Sequence, residues 1–153
     1  MKIGQMYKTG CKILMMNSIL FIIIGIYGVL FNNTPLFSGI DRLMDPNFWG
    51  NEILSKGTIN FKIFTWDYLG MFHIIWGINI WFVVRYGLVK KKEAWAWKSI
   101  FISVIVWLFV DIYFALTIKQ NIFLFGSIFS ILCFFIIPLI MTKDALEKRD
   151  MVK

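Results

Sequence analysis

The chain has little of what small soluble enzymes and metal centres are built from. It holds two cysteines, Cys11 and Cys133, and a single histidine, His73. Neither cysteine belongs to a CxxC or Cys/His array, which excludes a disulfide framework and a zinc site of ordinary ligand spacing. No HExxH helix, P-loop, dinucleotide fingerprint or Ser-His-Asp arrangement is present. The sequence therefore implies no catalytic constellation and no cofactor, and the reading leans away from an enzyme. Acidic residues are scarce as well, 9 Asp+Glu against 16 Lys+Arg, for a formal charge of +7. In a soluble protein that balance suggests a nucleic-acid surface. Here the bases fall between apolar runs and no RRM, zinc-finger or helix-turn-helix pattern accompanies them, so nucleic acid is not an expected partner.

What the chain does have is apolar surface. Hydrophobic residues make up 59% and aromatics 18%, far above the soluble average, so the solvent is lipid. Four apolar runs, 13–31, 64–84, 95–118 and 121–141, are each long enough to cross a hydrocarbon core that needs about 20 helical residues. They lack the strict alternation of barrel strands, which leaves helices as the way to satisfy the backbone in lipid. The predicted fold is all-α: a polytopic membrane protein forming a four-transmembrane-helix antiparallel bundle in one domain, 1–153. The start resembles a signal peptide. However, its apolar run is about nineteen residues with no small-x-small cleavage site after it, which reads as a retained anchor. Cys11 falls at the edge of the first span and Cys133 inside the fourth, too far apart in depth to pair.

Orientation follows from the flanking bases. Lys2, Lys8 and Lys12 precede the first span; Arg85, Lys90, Lys91, Lys92 and Lys98 flank the second connection; Lys143, Lys148, Arg149 and Lys153 follow the last span. Only Arg42, Lys56, Lys62 and Lys119 fall on the opposite side. This asymmetry predicts a multi-pass protein of the cell membrane with both termini cytoplasmic. Trp66, Tyr68 and Tyr113 would then lie in the outer aromatic belt, and Tyr86, Trp95 and Trp97 in the inner one.

The first connection, 32–63, is the only long one. Ile40, Leu43, Met44, Phe48, Trp49, Ile53 and Leu54 recur at roughly helical spacing, interrupted by Pro46 and Gly50, which predicts short interfacial helices on the outer surface. They would anchor in the headgroups or form a lid. Asn32-Asn33-Thr34 has the glycosylation pattern, a weak signal against the membrane. The tail, 142–153, is expected to be a solvated, charged helical end on the cytoplasmic side.

His73 and Asp111 are the two ionisable groups deepest in the apolar spans, and such groups call for a partner, a water-filled cavity or a function. With 1.5 Å of rise per residue, His73 lies on the order of 12 Å below Thr65 and Asp111 on the order of 10 Å below Ile118. The two could share a layer with Tyr27, Gly25 and Gly28 of the first span and Ser127 and Ser130 of the fourth. On the third span Ser99, Ser103, Trp107 and Asp111 follow one another at i+4, a slowly spiralling stripe expected to face the bundle. Gly70 and Gly77 on the second span, and Gly126 on the fourth, would allow close helix approach. The plain reading of His73 and Asp111 is an interhelical hydrogen bond worth about 0.6 kcal/mol on average. The functional readings are a pocket for a lipid or quinone-like amphiphile lined by His73, Asp111, Tyr27, Trp107, Ser127 and Ser130, a proton-coupled path, or a metal or haem ligand. A lone histidine and one carboxylate leave a metal underligated. Asp67 reads as hydrated or as a cap near the start of its helix, and Pro138 as a kink in the fourth.

The run Arg85-Tyr86-Gly87 followed by Trp95-Ala96-Trp97, with Trp107, Asp111 and the closing Pro138-Leu139, resembles an uncharacterised family of small bacterial four-helix integral membrane proteins. The resemblance extends from Asp45-Pro46-Asn47-Phe48-Trp49-Gly50 onward and implies a four-span fold without an activity. A fainter similarity to DoxX-like four-helix proteins rests on span count and loop placement. The sequence thus leads to a non-enzymatic membrane protein, acting as an accessory subunit or through an amphiphile bound in an outer-half cavity, with membrane lipids and a membrane-protein partner or second copy as its company. The alternative is a small oligomeric proton- or solute-coupled transporter.

Overall fold

The computed structural model describes residues 3–42, 53–117 and 121–150. Among them it is helical, with four helices long and apolar enough to cross a membrane. Helix α1 is Ile3–Phe31. Helix α2 starts at Lys56, runs to Phe82 and continues as π-helical turns over Val83–Lys91. Helix α3 is Ala94–Thr117. Helix α4 comprises Asn121–Ile131, a π-turn at Leu132–Ile136, and Ile137–Asp150. Contacts divide the chain into two compact units, Leu20–Gly77 on the one hand and Met1–Ile19 with Ile78–Lys153 on the other.

In the unit formed by Met1–Ile19 and Ile78–Lys153 all four helices pack together. Its interior holds Leu14 of α1, Val84 and Leu88 of α2, Ile100 and Val104 of α3, and Ile131, Phe135 and Leu139 of α4. One backbone defect shapes it. Pro138 has no N–H, so the carbonyl of Phe134 lacks its ordinary i+4 donor, and the proline ring crowds that oxygen. The helix widens into the π-turn just before it, as helices do beside an inserted residue. Asn17 of α1, itself buried, donates its side-chain amide to the Phe134 carbonyl. One turn further on, the indole N–H of Trp97 donates to the Leu139 carbonyl at 2.9 Å and the hydroxyl of the buried Thr142 at 2.8 Å. Gly10 lets α1 close on this region: a Cβ there would lie 2.7 Å from the Pro138 carbonyl oxygen.

The unit Leu20–Gly77 is a helical hairpin with a packed connection. Gly25 of α1 and Gly70 of α2 bring their backbones together, so that a Cβ on Gly25 would sit 2.5 Å from the Gly70 carbonyl and one on Gly70 2.7 Å from the Gly25 carbonyl. The connection starts with a 3-10 turn, Pro35–Phe37, and helical turns over 38–42. Phe37 is fully buried, edge-on to Trp66 with ring centroids 5.0 Å apart. Lys62 and Asp41 form an ion pair of 3.1 Å, and the amide of buried Asn32 donates to Asp67 at 2.7 Å.

Several expectations need correction. The loop is shorter than 32–63, because Ser55 accepts a hydrogen bond from the Thr58 N–H at 3.2 Å and starts α2 at Lys56. Ile53 and Leu54 are consequently not helical, and the amphipathic pattern through Leu43, Met44, Phe48 and Trp49 falls outside the described residues. Asp67 is well inside α2 rather than near its start, and Asn32, whose amide it engages, is too enclosed for a glycan acceptor. The stripe on α3 drifts, since each i+4 step advances about 40°. Ser99 and Ser103 are exposed, the latter bonded back to the Ser99 carbonyl, while Trp107 and Asp111 turn toward the face carrying Ile100 and Val104. The tail is not merely solvated: α4 continues through it to Asp150 and buries Thr142 and Leu146.

The glycine contact of the hairpin yields a direct expectation. Gly70→Leu should lower the melting temperature of the detergent-solubilised protein by more than 5 °C, whereas Gly39→Leu, at a site with open space around it, should shift it by less than about 2 °C. Equal shifts would mean that the close approach is not required.

Candidate functional site

Each residue expected to line an outer-half pocket has been placed. In the Leu20–Gly77 unit, the Nδ1 of His73 lies 2.7 Å from the Leu69 carbonyl one turn back, and its ring stacks on Phe21 with centroids 5.4 Å apart. Tyr27 donates its hydroxyl to the Leu36 carbonyl at 2.6 Å and packs beside Phe37. These two serve the hairpin. In the other unit, Ser127 donates its hydroxyl to Asp111, a direct α3–α4 link. Trp107 meets Phe135 edge-on with centroids 6.0 Å apart, and half-buried Ser130 follows Ser127 by three residues on α4. The structure thus joins Asp111 to Ser127, while His73 and Tyr27 have partners of their own. Among the described residues no group of three His, Cys, Asp or Glu side chains converges as a metal site would require.

Among the described residues a cavity opens elsewhere, beside the first half of α1. It is a half-open groove of about 570 Å³ between α1 and the end of α2. Its apolar wall is Met15, Met16 and Ile19 of α1 and Trp81 of α2, and its rim carries Lys8, Lys12 and Lys92. The α1 side is one helical stripe: Gly4, Lys8, Lys12 and Met16 recur at i+4, with Met15 and Ile19 alongside. Helix α1 has 29 residues and is about 44 Å long, against about 30 Å of hydrocarbon, so its lysine-bearing first turns reach headgroup level.

The α2 side is built by an unusual helix end. The π-turns finish at Lys92, which adopts φ 54° and ψ 48°, the left-handed conformation that glycine normally supplies. From there the Lys92 N–H donates to the Leu88 carbonyl at 3.1 Å and the Glu93 N–H to the Gly87 carbonyl at 2.9 Å. Tyr7, buried, donates its hydroxyl to the same Leu88 carbonyl at 2.7 Å and so ties α1 to this turn. The Lys92 ammonium lies 5.8 Å from the Tyr7 ring centroid. Among the described residues neither Lys8 nor Lys12 has an acidic partner, and no carboxylate lines the groove.

Sequence reasoning passes over Asn17 and Tyr7 and uses Lys8, Lys12 and Lys92 only for orientation. Asn17-Ser18 interrupts the first apolar run, and a polar pair at that depth is itself a sign of an engaged backbone. The i+4 lysines leading into Met16 were visible as well, but they read equally as simple flanking charge. Compared with protein-family models, curated proteins and solved structures, the chain matches none.

A left-handed non-glycine residue stores roughly 1 kcal/mol. Lys92→Gly should therefore stabilise the lipid-free protein in detergent by roughly that amount in a reversible unfolding titration. A loss of the same size would show that the lysine side chain, not its backbone, decides stability there.

Proposed function

We propose that this four-span protein is a non-enzymatic membrane protein that holds an amphiphile, a lipid or quinone-like molecule, and works through it or as an accessory subunit that carries it, with both termini in the cytoplasm. The observation that supports this reading is the groove: an apolar wall at membrane depth that ends in a cationic rim, the two-part chemistry of an amphiphile. Sites for such ligands are concave and mostly apolar, with a few polar groups to fix orientation. His73, Tyr27 and Asp111 remain candidates for an outer-half site, but the His73 Nδ1, the Tyr27 hydroxyl and a carboxylate oxygen of Asp111 already have partners within the chain, which makes the groove the better supported location.

Native mass spectrometry of the gently solubilised full chain, with extracted small molecules identified, tests the reading. Wild type should retain an amphiphile. Met16→Trp, at a position 59% exposed on the groove wall, should reduce its occupancy at least fivefold without changing the melting temperature. A wild type that carries no amphiphile and instead co-purifies with another polypeptide would overturn it.

A further inference from the structure

We propose that Nε2 of His73 is an acceptor site for a hydroxyl of a quinol, the reduced form of a quinone-like amphiphile, at the surface of the hairpin Leu20–Gly77. This deepens the amphiphile reading at a location apart from the groove, and rests on it only for the class of ligand. Geometry fixes the tautomer. A carbonyl oxygen can only accept, so the 2.7 Å contact with Leu69 places the imidazole proton on Nδ1. The neutral ring then carries its lone pair on Nε2. Among the described residues Nε2 has no hydrogen-bond partner, and it is not enclosed.

The ring is also held in place. Its bond to Leu69 fixes one edge and Phe21 covers one face, while Trp76 meets the same phenyl ring edge-on with centroids 5.1 Å apart. An acceptor whose direction is set before its donor arrives loses little freedom on binding.

Depth selects the donor. His73 stands at the middle of the 36-residue stretch Lys56–Lys91, about 26 Å along the helix from each end. Whichever end faces the cytoplasm, that is near the bilayer midplane, where water does not supply hydrogen bonds. The hydroxyl of a glycerolipid or a sterol is the end by which that molecule anchors at the interface. A quinol instead carries its hydroxyls on an otherwise apolar body of ring and tail that enters the hydrocarbon, and a phenolic O–H is the stronger donor. The oxidised quinone has only carbonyl oxygens, and two acceptors do not bond. The site therefore distinguishes the two redox states by their protons, with no electron transfer required of the chain.

His73 is the chain's single histidine, so nitrogen NMR of the full-length protein in detergent, with isotope-labelled histidine at mildly alkaline pH, reads the site directly. The probes are a decyl-tailed naphthohydroquinone kept reduced without oxygen, its oxidised quinone and its dimethyl ether. The quinol should bind about fivefold more tightly than either, the size of one net hydrogen bond, and should move the Nε2 resonance toward that of a hydrogen-bonded nitrogen while the ether does not. His73→Phe should bring the quinol down to the affinity of the ether and leave the ether's own affinity unchanged. A proton on Nε2 in the ligand-free protein would overturn the proposal, as would equal binding of quinol and ether or binding of neither. Retention of an amphiphile that Met16→Trp blocks, with the Nε2 signal undisturbed, would overturn the His73 site and leave the amphiphile reading standing.

Discussion

The carbonyl of Phe134 is the group on which the packing of α1 against α4 depends. Pro138 deprives it of its helical donor in a setting where water is not at hand, and an unsatisfied backbone group in hydrocarbon costs several kcal/mol. Asn17 supplies the missing N–H from a neighbouring helix. The polar side chain needs the proline as much as the carbonyl needs the amide, since an unpaired asparagine at that depth would be equally expensive. Trp97 and Thr142 add side-chain hydrogen bonds to the carbonyl of Leu139 on the next turn, so that α1, α3 and α4 meet over this stretch of α4.

This contact sets the rotation of α1. With Gly10, Leu14 and Asn17 turned toward α4 and the interior, the helical period turns Lys8, Lys12, Met16 and Ile19 to a different side. Tyr7 lies between the two faces and binds the end of α2. The groove is therefore a consequence of the packing: one face of α1 is fixed by backbone chemistry, and the side chains left over meet Trp81 and the turn at Lys92. Both π-helical segments found among the described residues lie in this same unit, one making the contact with α1 and the other leading into Lys92.

The four helices were legible because the bilayer imposes a length and a hydropathy that few other constraints imitate, and the runs 13–31, 64–84, 95–118 and 121–141 each overlap one of them. Helix ends were less legible. α1 starts at Ile3 and α2 at Lys56, since polar residues continue a helix past the hydrocarbon without any change of backbone, and the cap at Ser55 is a short-range signal that apolar run length ignores. The Ser99 to Asp111 stripe on α3 was read as a line although it is a spiral, so its first members face outward. Gly70 was recognisable as a packing residue, but its pairing with Gly25 required the hairpin register, and Gly126, of the same type, has open space around it. The site was hardest to read. His73 and Asp111 drew notice by charge and depth, while the groove depends on a π-turn and on a left-handed lysine, neither of which leaves a pattern in composition or periodicity.

A double-mutant cycle on Asn17 and Pro138 tests the central claim most directly. If the amide of Asn17 replaces the donor that Pro138 lacks, Asn17→Ala should destabilise the wild type by about 1–2 kcal/mol. In the Pro138→Ala background, where an N–H is restored to the helix, the same change should cost much less, giving a coupling of about 1 kcal/mol in reversible unfolding. Additivity of the two substitutions within about 0.3 kcal/mol would contradict the account, because the asparagine and the proline would then be independent features of their helices.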